Sequence, residues 1–412
     1  MFRPQVFRVS GLLVLLLVSL HSAEQDALSI DATIHARHLP YGTILDPIFS
    51  SDHTQIVGYT RCGDSAIWTG HYLAAEAFRY RVTRAPAAID NARAALAALT
   101  RLVDVTGIDL LARCTVPDAS PYAAGIASEE AGNGVYHASL AGQSWMWIGN
   151  TSRDQYSGVF FGLATAYDLI SAPDVQASVV ALASRLLNNL INNGWLVLMP
   201  NGSPSTTFIL RPDQELTFLL IGAHLDPSVY ASQYSRAASI LGSAVPAPLE
   251  VDSADDSSYF KFNLDYINLY NLIRLETNQN RLSFYESGYQ AVRSVTATHL
   301  NPHFNMIDRA LHGPNAARDA ETRADLDAWL TRPRTDVFVD WRNTNLACGN
   351  VACNPLPIPD RPDDEFLWQI NPFQLFGGGS GTIEGSGVDY ILPYWMARYY
   401  RVIEDPPSGR GQ

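Results

Sequence analysis

The chain has 412 residues, 47% of them hydrophobic and 17% charged, with a formal net charge of −13 at pH 7. So acidic a surface repels nucleic acid and anionic membranes. It also argues, more weakly, against a highly sulfated or uronate-rich polymer as substrate, unless a local arginine cluster overrides the global charge; Lys261 is the only lysine, so nearly all positive charge is guanidinium.

At the start of the chain, Arg3 and Arg8 precede an apolar run from Gly11 to Leu20 that ends in His21-Ser22-Ala23. This is the pattern of a secretory signal peptide over residues 1–23. The run is too short to span a bilayer, no later segment offers the roughly 20 apolar residues a membrane helix needs, and no Cys follows to accept lipid. The mature chain is expected to begin near Glu24, secreted or periplasmic and without membrane insertion. Loss of two arginines and no acids takes its formal charge to −15. With no Gly/Ser linker or charge run to divide it, residues 24–412 are expected to form one domain.

Helical periodicity begins at Asp64 and runs to Thr83 through Ile67, Trp68, Leu73, Ala74, Ala77, Phe78 and Val82. A second helix is expected over Ala87 to Val105, closed by Gly107. A third spans Ser152 to Ile170, and a fourth starts at Pro173 and stops at Asn192-Asn193-Gly194. Further pairs follow at Asp213 to His224 with Ser228 to Leu241, Phe262 to Leu275 with Arg281 to Ala297, and Phe304 to Leu311 with Ala316 to Leu330. A proline-rich, cysteine-bearing excursion covers Thr331 to Pro372, and a last helix runs from Val388 to Val402. Strand alternation is confined to short pieces near Trp195 to Leu198 and Val337 to Val339.

Four cysteines in an exported chain favour disulfides over metal ligands or nucleophiles. Cys348 and Cys353 are placed to close a small loop, and Cys62 and Cys114 to tie the two ends of a helical hairpin.

The class is therefore all-α, and antiparallel hairpins repeated five or six times can close into a ring. Helix pairs opening with Asp-Ser-Ala-Ile-Trp-Thr-Gly at Asp64 and Thr-Ser-Arg-Asp-Gln-Tyr-Ser-Gly at Thr151 resemble the (α/α)6 toroid of the six-hairpin glycosidases. The resemblance covers nearly the whole mature chain, with the Pro/Cys excursion interrupting it before the last helix. A tetratricopeptide-like solenoid is the alternative, but the repeats are unequal and share no consensus.

In such a ring alternate helices run the same way, so their N-terminal ends meet at one mouth. It would gather Asp64, Asp154, Asp213, Glu215, Asp265 and Glu384 beside Trp68, Tyr72, Trp145, Trp147, Tyr156, Tyr266, Tyr270 and Trp395, with Arg153 and Arg211. Sugar chemistry needs carboxyl groups of this kind: one held protonated to release the leaving oxygen, another to activate water or stabilise positive charge, with rings to stack on sugar faces. Asp64 and Asp154 are the favoured catalytic pair, expected to invert configuration if they stand roughly 6.5–9.5 Å apart and to retain it at roughly 5 Å.

Each carboxylate also has a plainer reading. Asp64 and Asp154 would cap helices, Asp213 and Glu215 belong to an ordinary helix entry, and Asp265 would sit in a buried polar network. Glu384, after the Gly377–Gly381 run, is read either as part of a mobile active-site loop or as a simple connection. That run lacks the lysine and spacing of a P-loop, and the shifted Gly-x-Ser-x-Gly around Ser380 has no preceding strand to make it a nucleophile elbow. The histidines show no HExxH spacing, so neither a metal nor another cofactor is expected. A lyase using Tyr136 or His137 with Asn133, its substrate carboxylate held by Arg153 and Arg211, ranks second. A non-catalytic glycan-binding protein ranks third. The carbohydrate partner is common to all three readings, and oligomeric state is left open.

Overall fold

The computed structural model describes residues 23–255, 258–362 and 366–404. The export segment, apart from Ala23, lies outside the described residues. The chain is mostly helical. After α1 (23–33) come α2 (Ser65–Thr83), α3 (Pro86–Asp104), α4 (Ala123–Glu129), α5 (Arg153–Leu169), α6 (Pro173–Asn192), α7 (Pro212–Leu225), α8 (Pro227–Leu241) and α9 (Pro246–Ser253). Then follow α10 (Lys261–Leu275), α11 (Gln279–Thr296), α12 (Pro302–His312), α13 (Ala316–Trp329) and α14 (Val388–Tyr399). Proline opens α3, α6, α7, α8, α9 and α12, where its missing N–H costs no intrahelical bond.

Burial sorts these helices into two kinds. α7 is buried from Pro212 through Gly222 and α10 from Phe262 through Ile273, with α2, α5 and α14 similarly covered on all sides. By contrast, α6 buries only the stripe Val175, Val179, Leu182, Ala183, Leu186, Leu187 and Leu190, as expected of a helix with one face to solvent. The covered helices, with α12 buried from Pro302 through Ile307, touch in sequence: α2 packs on α5, α5 on α7, α7 on α10, α10 on α12, α12 on α14, and α14 on α2. All but α14, the last helix among the described residues, also pack against the helix that follows: α2 on α3, α5 on α6, α7 on α8, α10 on α11 and α12 on α13.

The tightest of these contacts is set by glycine. A Cβ on Gly70 would stand 2.1 Å from the Gly158 carbonyl oxygen, and one on Gly158 would stand 2.7 Å from the Ile67 carbonyl oxygen. α2 and α5 therefore meet backbone to backbone, and Gly158 serves helix packing. Gly158→Ala is expected to lower stability by about 1–3 kcal/mol through overpacking; urea denaturation with an unchanged midpoint would show instead that the two helices part freely. Where α2, α5, α10 and α12 face one another, the His71 ring lies 5.4 Å from Phe161, 6.0 Å from His303 and 5.1 Å from Trp368. Trp368 belongs to the Pro/Cys excursion, which thus reaches into the core.

Strand content exceeds the expectation. The pieces near Leu196 and Val337 do pair, but longer strands accompany them. β1 (Asp46–Phe49), β2 (Ile56–Thr60), β3 (Thr115–Pro117), β4 (Val135–Leu140), β5 (Gln143–Ile148), β6 (Leu196–Leu198), β7 (Pro204–Thr207), β8 (Thr335–Asp340), β9 (Ala347–Cys348), β10 (Val351–Ala352) and β11 (Phe376–Glu384) form small antiparallel sheets. β4 and β5 join through Ala141 and Gly142, both at positive φ, the twist-matched geometry of a two-residue hairpin. The glycine run expected to be a loop is strand β11, paired between β1 and β8. Its glycines fit a bulged approach to β8: a Cβ on Gly378 would stand 2.3 Å from the Val337 carbonyl oxygen. Disulfides join Cys62 to Cys114 and Cys348 to Cys353, the pairs expected.

β1 and β11 are clasped to the segment after α1 through buried His38, whose Nδ1 donates to the Leu45 carbonyl (3.0 Å) and Nε2 to Glu384 Oε1 (3.3 Å), with Asp46 Oδ1 at 3.4 Å. Burial disfavours the imidazolium, but the hydrogen bonds and charges of Asp46 and Glu384 outweigh it and raise the pKa above 6.5. Both carboxylates are lowered in spite of burial, by His38 together with Arg61 or Arg37. The imidazolium's contribution is present below its ordinary pKa of 6.5 and lost as pH rises through its folded value. The carboxylates' contribution is present above their ordinary values of 3.8 and 4.5 and lost as pH falls through the lowered ones. The cluster is therefore most stabilising between about pH 4.5 and 6.5. Denaturation midpoints of the wild type are expected to fall on the alkaline side of that window relative to a His38→Gln variant; parallel curves would remove His38 as the cause.

Candidate active site

The first turns of α5, α7 and α10 open on one cavity of about 370 Å³. α5 contributes Arg153 and Asp154 with Ser152 just ahead, α7 contributes Gln214 with Arg211 just ahead, and α10 contributes Lys261, Leu264 and Asp265. Asp252 of α9, Thr206 of β7, Ser258 and Phe260 complete the wall. Helix N-termini carry free N–H groups and the positive end of the macrodipole, so three of them together favour negative charge and acceptor atoms.

Arg211 organises the acids of this wall. Its Nε and Nη2 grip Asp213 at 3.0 and 2.8 Å, Nη1 donates to Asp252 Oδ2 (2.6 Å), and Nη2 also donates to Asp265 Oδ1 (2.9 Å). Asp265 is fully buried, and burial, aided by the charges of Asp252 and Asp213, holds its carboxyl well above the usual carboxylate range despite Arg211. Its Oδ2 has no hydrogen-bond partner among the described residues, and neither has Oε1 of the equally buried Gln214. Unpaired buried polar atoms cost free energy, so a wall that carries two is suited to receive hydrogen-bonding groups.

Asp154 lies half-buried on the same wall, its Oδ1 accepting from the Ser152 hydroxyl and from Gln155 N (3.0 Å). Asp64 stands behind it at the entry to α2. Gln155 Nε2 donates to Asp64 Oδ1 (3.1 Å) while its Oε1 accepts from Ile67 N (3.0 Å). Arg113 reaches both sides, with Nη1 3.8 Å from Asp64 Oδ1 and Nη2 donating to Ser152 Oγ (2.7 Å).

Of the residues singled out in the sequence, the cavity thus gathers Asp154, Asp265, Arg153 and Arg211, with Asp213 and Asp64 one contact away. Glu215 faces a different hollow, beside Trp195, Leu219 and Ile240, where burial pushes its carboxyl up to about 7. Glu384 is engaged by Arg37 (2.8 Å) and His38 in the clasp. The rings pack elsewhere. Tyr72 bonds Asp31, Tyr156 lies against Leu111 N, Tyr266 stacks on Phe304, Trp395 meets Tyr394, Trp68 meets Phe366, and Trp147 stacks on Tyr136. Tyr270 bonds Tyr400, and Trp145 lies under Arg101. Phe260 is the aromatic residue that the cavity does have. His137 is exposed on β4 and bonds Asp118 (2.9 Å), while Asn133 donates to Glu130 (2.6 Å).

Sequence reasoning missed Gln214, Asp252, Phe260 and Lys261. For Lys261 a signal existed, since the only lysine of the chain stands at the first residue of a helix whose next turn carries Asp265. Asp252 carried none, because its helix, α9, was not expected. No family model matches the chain and no curated protein shows significant similarity to it, so a functional reading rests on this geometry.

Proposed function

We propose that the chain is a glycoside hydrolase of the six-hairpin kind, an (α/α)6 toroid acting on an oligo- or polysaccharide in the cavity between α5, α7 and α10. The toroid is supported by the order of contacts, in which the five covered helices and the half-covered α12 follow one another and the last meets the first. One observation carries the chemistry: the cavity holds two carboxyl groups in contrasting settings, Asp265 buried with its pKa raised and Asp154 half-buried at the wall. Environments that separate two carboxyl groups assign acid and base roles.

In this reading Asp265 Oδ1 is occupied by Arg211, and Oδ2 carries the proton. Asp265 delivers it to the glycosidic oxygen as the bond to the anomeric carbon breaks. A water attacks that carbon from the other face and yields its proton to Asp154, regenerating the pair after proton exchange with solvent. Asp64, through Gln155 and Arg113, is a positioning residue for Asp154.

The test is release of reducing ends from a panel of neutral and acidic oligosaccharides, with Asp154→Asn beside the wild type. Turnover lost in the variant with binding retained supports the hydrolase. Products absorbing in the near ultraviolet would identify a lyase instead, and saturable binding without turnover would identify a glycan-binding protein.

A further inference from the structure

Two cations of the cavity wall are left over once its ion pairs are formed. Arg211 is matched by Asp213, Asp252 and Asp265. Arg153, the first residue of α5, donates from Nη1 to the Thr207 carbonyl (3.3 Å), and Lys261, the first residue of α10, reaches the Asp255 carbonyl. Among the described residues, no carboxylate lies within 4.0 Å of either. Asp154 is the nearest acid in sequence to Arg153, but its Oδ1 is taken by Ser152 and Gln155. Burial and the nearby Arg211 make the Arg153 charge less favourable, and Asp213, Asp252 and Asp154, acting without contact, offset this only in part, so an incoming anion would relieve the remainder. The same wall holds an unpartnered acceptor, Gln214 Oε1, on an almost fully buried side chain. Cations with no carboxylate in contact at helix N-termini call for an anion; an orphaned acceptor calls for a hydroxyl group.

We propose that the cavity selects a sugar bearing an anionic group, carboxylate or sulfate, with the anion held by Arg153 and Lys261 and a ring hydroxyl donating to Gln214. This rests on the carbohydrate reading of the same cavity and narrows it to a substrate class. It also supplies the local cationic cluster able to override the acidity of the chain as a whole.

The experiment is calorimetric titration of the protein with trimers of glucuronate, galacturonate and mannuronate, each beside its neutral methyl ester, and with a sulfated galactan oligomer. At least one free acid or the sulfated oligomer is expected to bind roughly 10-fold tighter than its neutral counterpart, the worth of one charge-assisted hydrogen bond. That preference should vanish in the Arg153→Gln/Lys261→Gln double variant and weaken with salt. Preference for the uronates identifies a carboxylate, and preference for the sulfated oligomer identifies a sulfate.

Esters binding as well as the acids would overturn the proposal. If neutral sugars are hydrolysed and acidic ones ignored, the anion subsite fails while the hydrolase stands. If acids bind with the expected selectivity and no substrate is cleaved, the subsite stands while the hydrolase fails. Binding of no sugar at all would overturn both.

Discussion

Asp265→Asn is expected to lower kcat by roughly 10²–10⁴-fold, the usual worth of a positioned general acid, while sugar affinity and unfolding midpoint stay near wild type. The reason is that the buried carboxyl already favours its neutral form. Asparagine preserves its shape, its neutrality and an oxygen to accept from Arg211, and removes only the transferable proton. A raised pKa places the active, protonated form below the folded value, so wild-type activity should decline as pH rises through it. The variant's residual activity should lack that alkaline limb. An unchanged kcat and pH profile would reduce Asp265 to a member of a buried polar network.

Arg211→Met is expected to cost about 3–5 kcal/mol of stability, the range found when one partner of a buried ion pair is removed. Arg211 is the shared counter-charge of Asp213 and Asp252 and also donates to the neutral carboxyl of Asp265; Asp213 and Asp265 are fully buried. Methionine keeps much of the side-chain volume, so the loss reports on charge more than on a cavity. Adding Asp213→Asn should recover part of it, because the two sites are coupled through direct contact. Urea denaturation of the wild type, the single variants and the double variant measures this cycle, and a loss below about 1 kcal/mol would assign the pair the worth of an exposed one.

Helix positions were legible because their signals are local. The periodic run from Ile67, the proline at position 173 and the Asn-Asn-Gly stop at 192–194 act within one or two turns, and α2 and α6 start and end close to where these place them. Strand β11 was not legible, since Phe376–Glu384 is glycine-rich and acquires its pairing from β1 and β8, which come from distant parts of the chain. The β4–β5 hairpin turns on Ala-Gly, a weaker signal than Asn-Gly.

At the site, the clustering of charge at alternate helix starts led to Asp154, Arg153, Arg211 and Asp265. It could not separate them from Glu215, Tyr72, Tyr156, Tyr266 or Trp395. A helix covered on every side has no polar face for periodicity to detect, so which residues look into the cavity and which pack between helices depends on the neighbours. Asp265 and Tyr266 are adjacent in sequence and both are fully buried, yet one lines the cavity and the other stacks on Phe304.

By itself, then, the sequence determined the mainly helical class and the boundaries of the longer helices, though not the helices at 23–33, Ala123–Glu129 and Pro246–Ser253, and it pointed to the disulfide pairs, because capping, periodicity and cysteine pairing act over short range or between few candidates. Only the tertiary structure decided which charges share a wall, that Arg211 gathers three carboxyl groups, and that Arg153 and Lys261 touch none among the described residues. Those facts arise where α5, α7, α9 and α10 converge, and the energy of a charge depends on its neighbours and its distance from water.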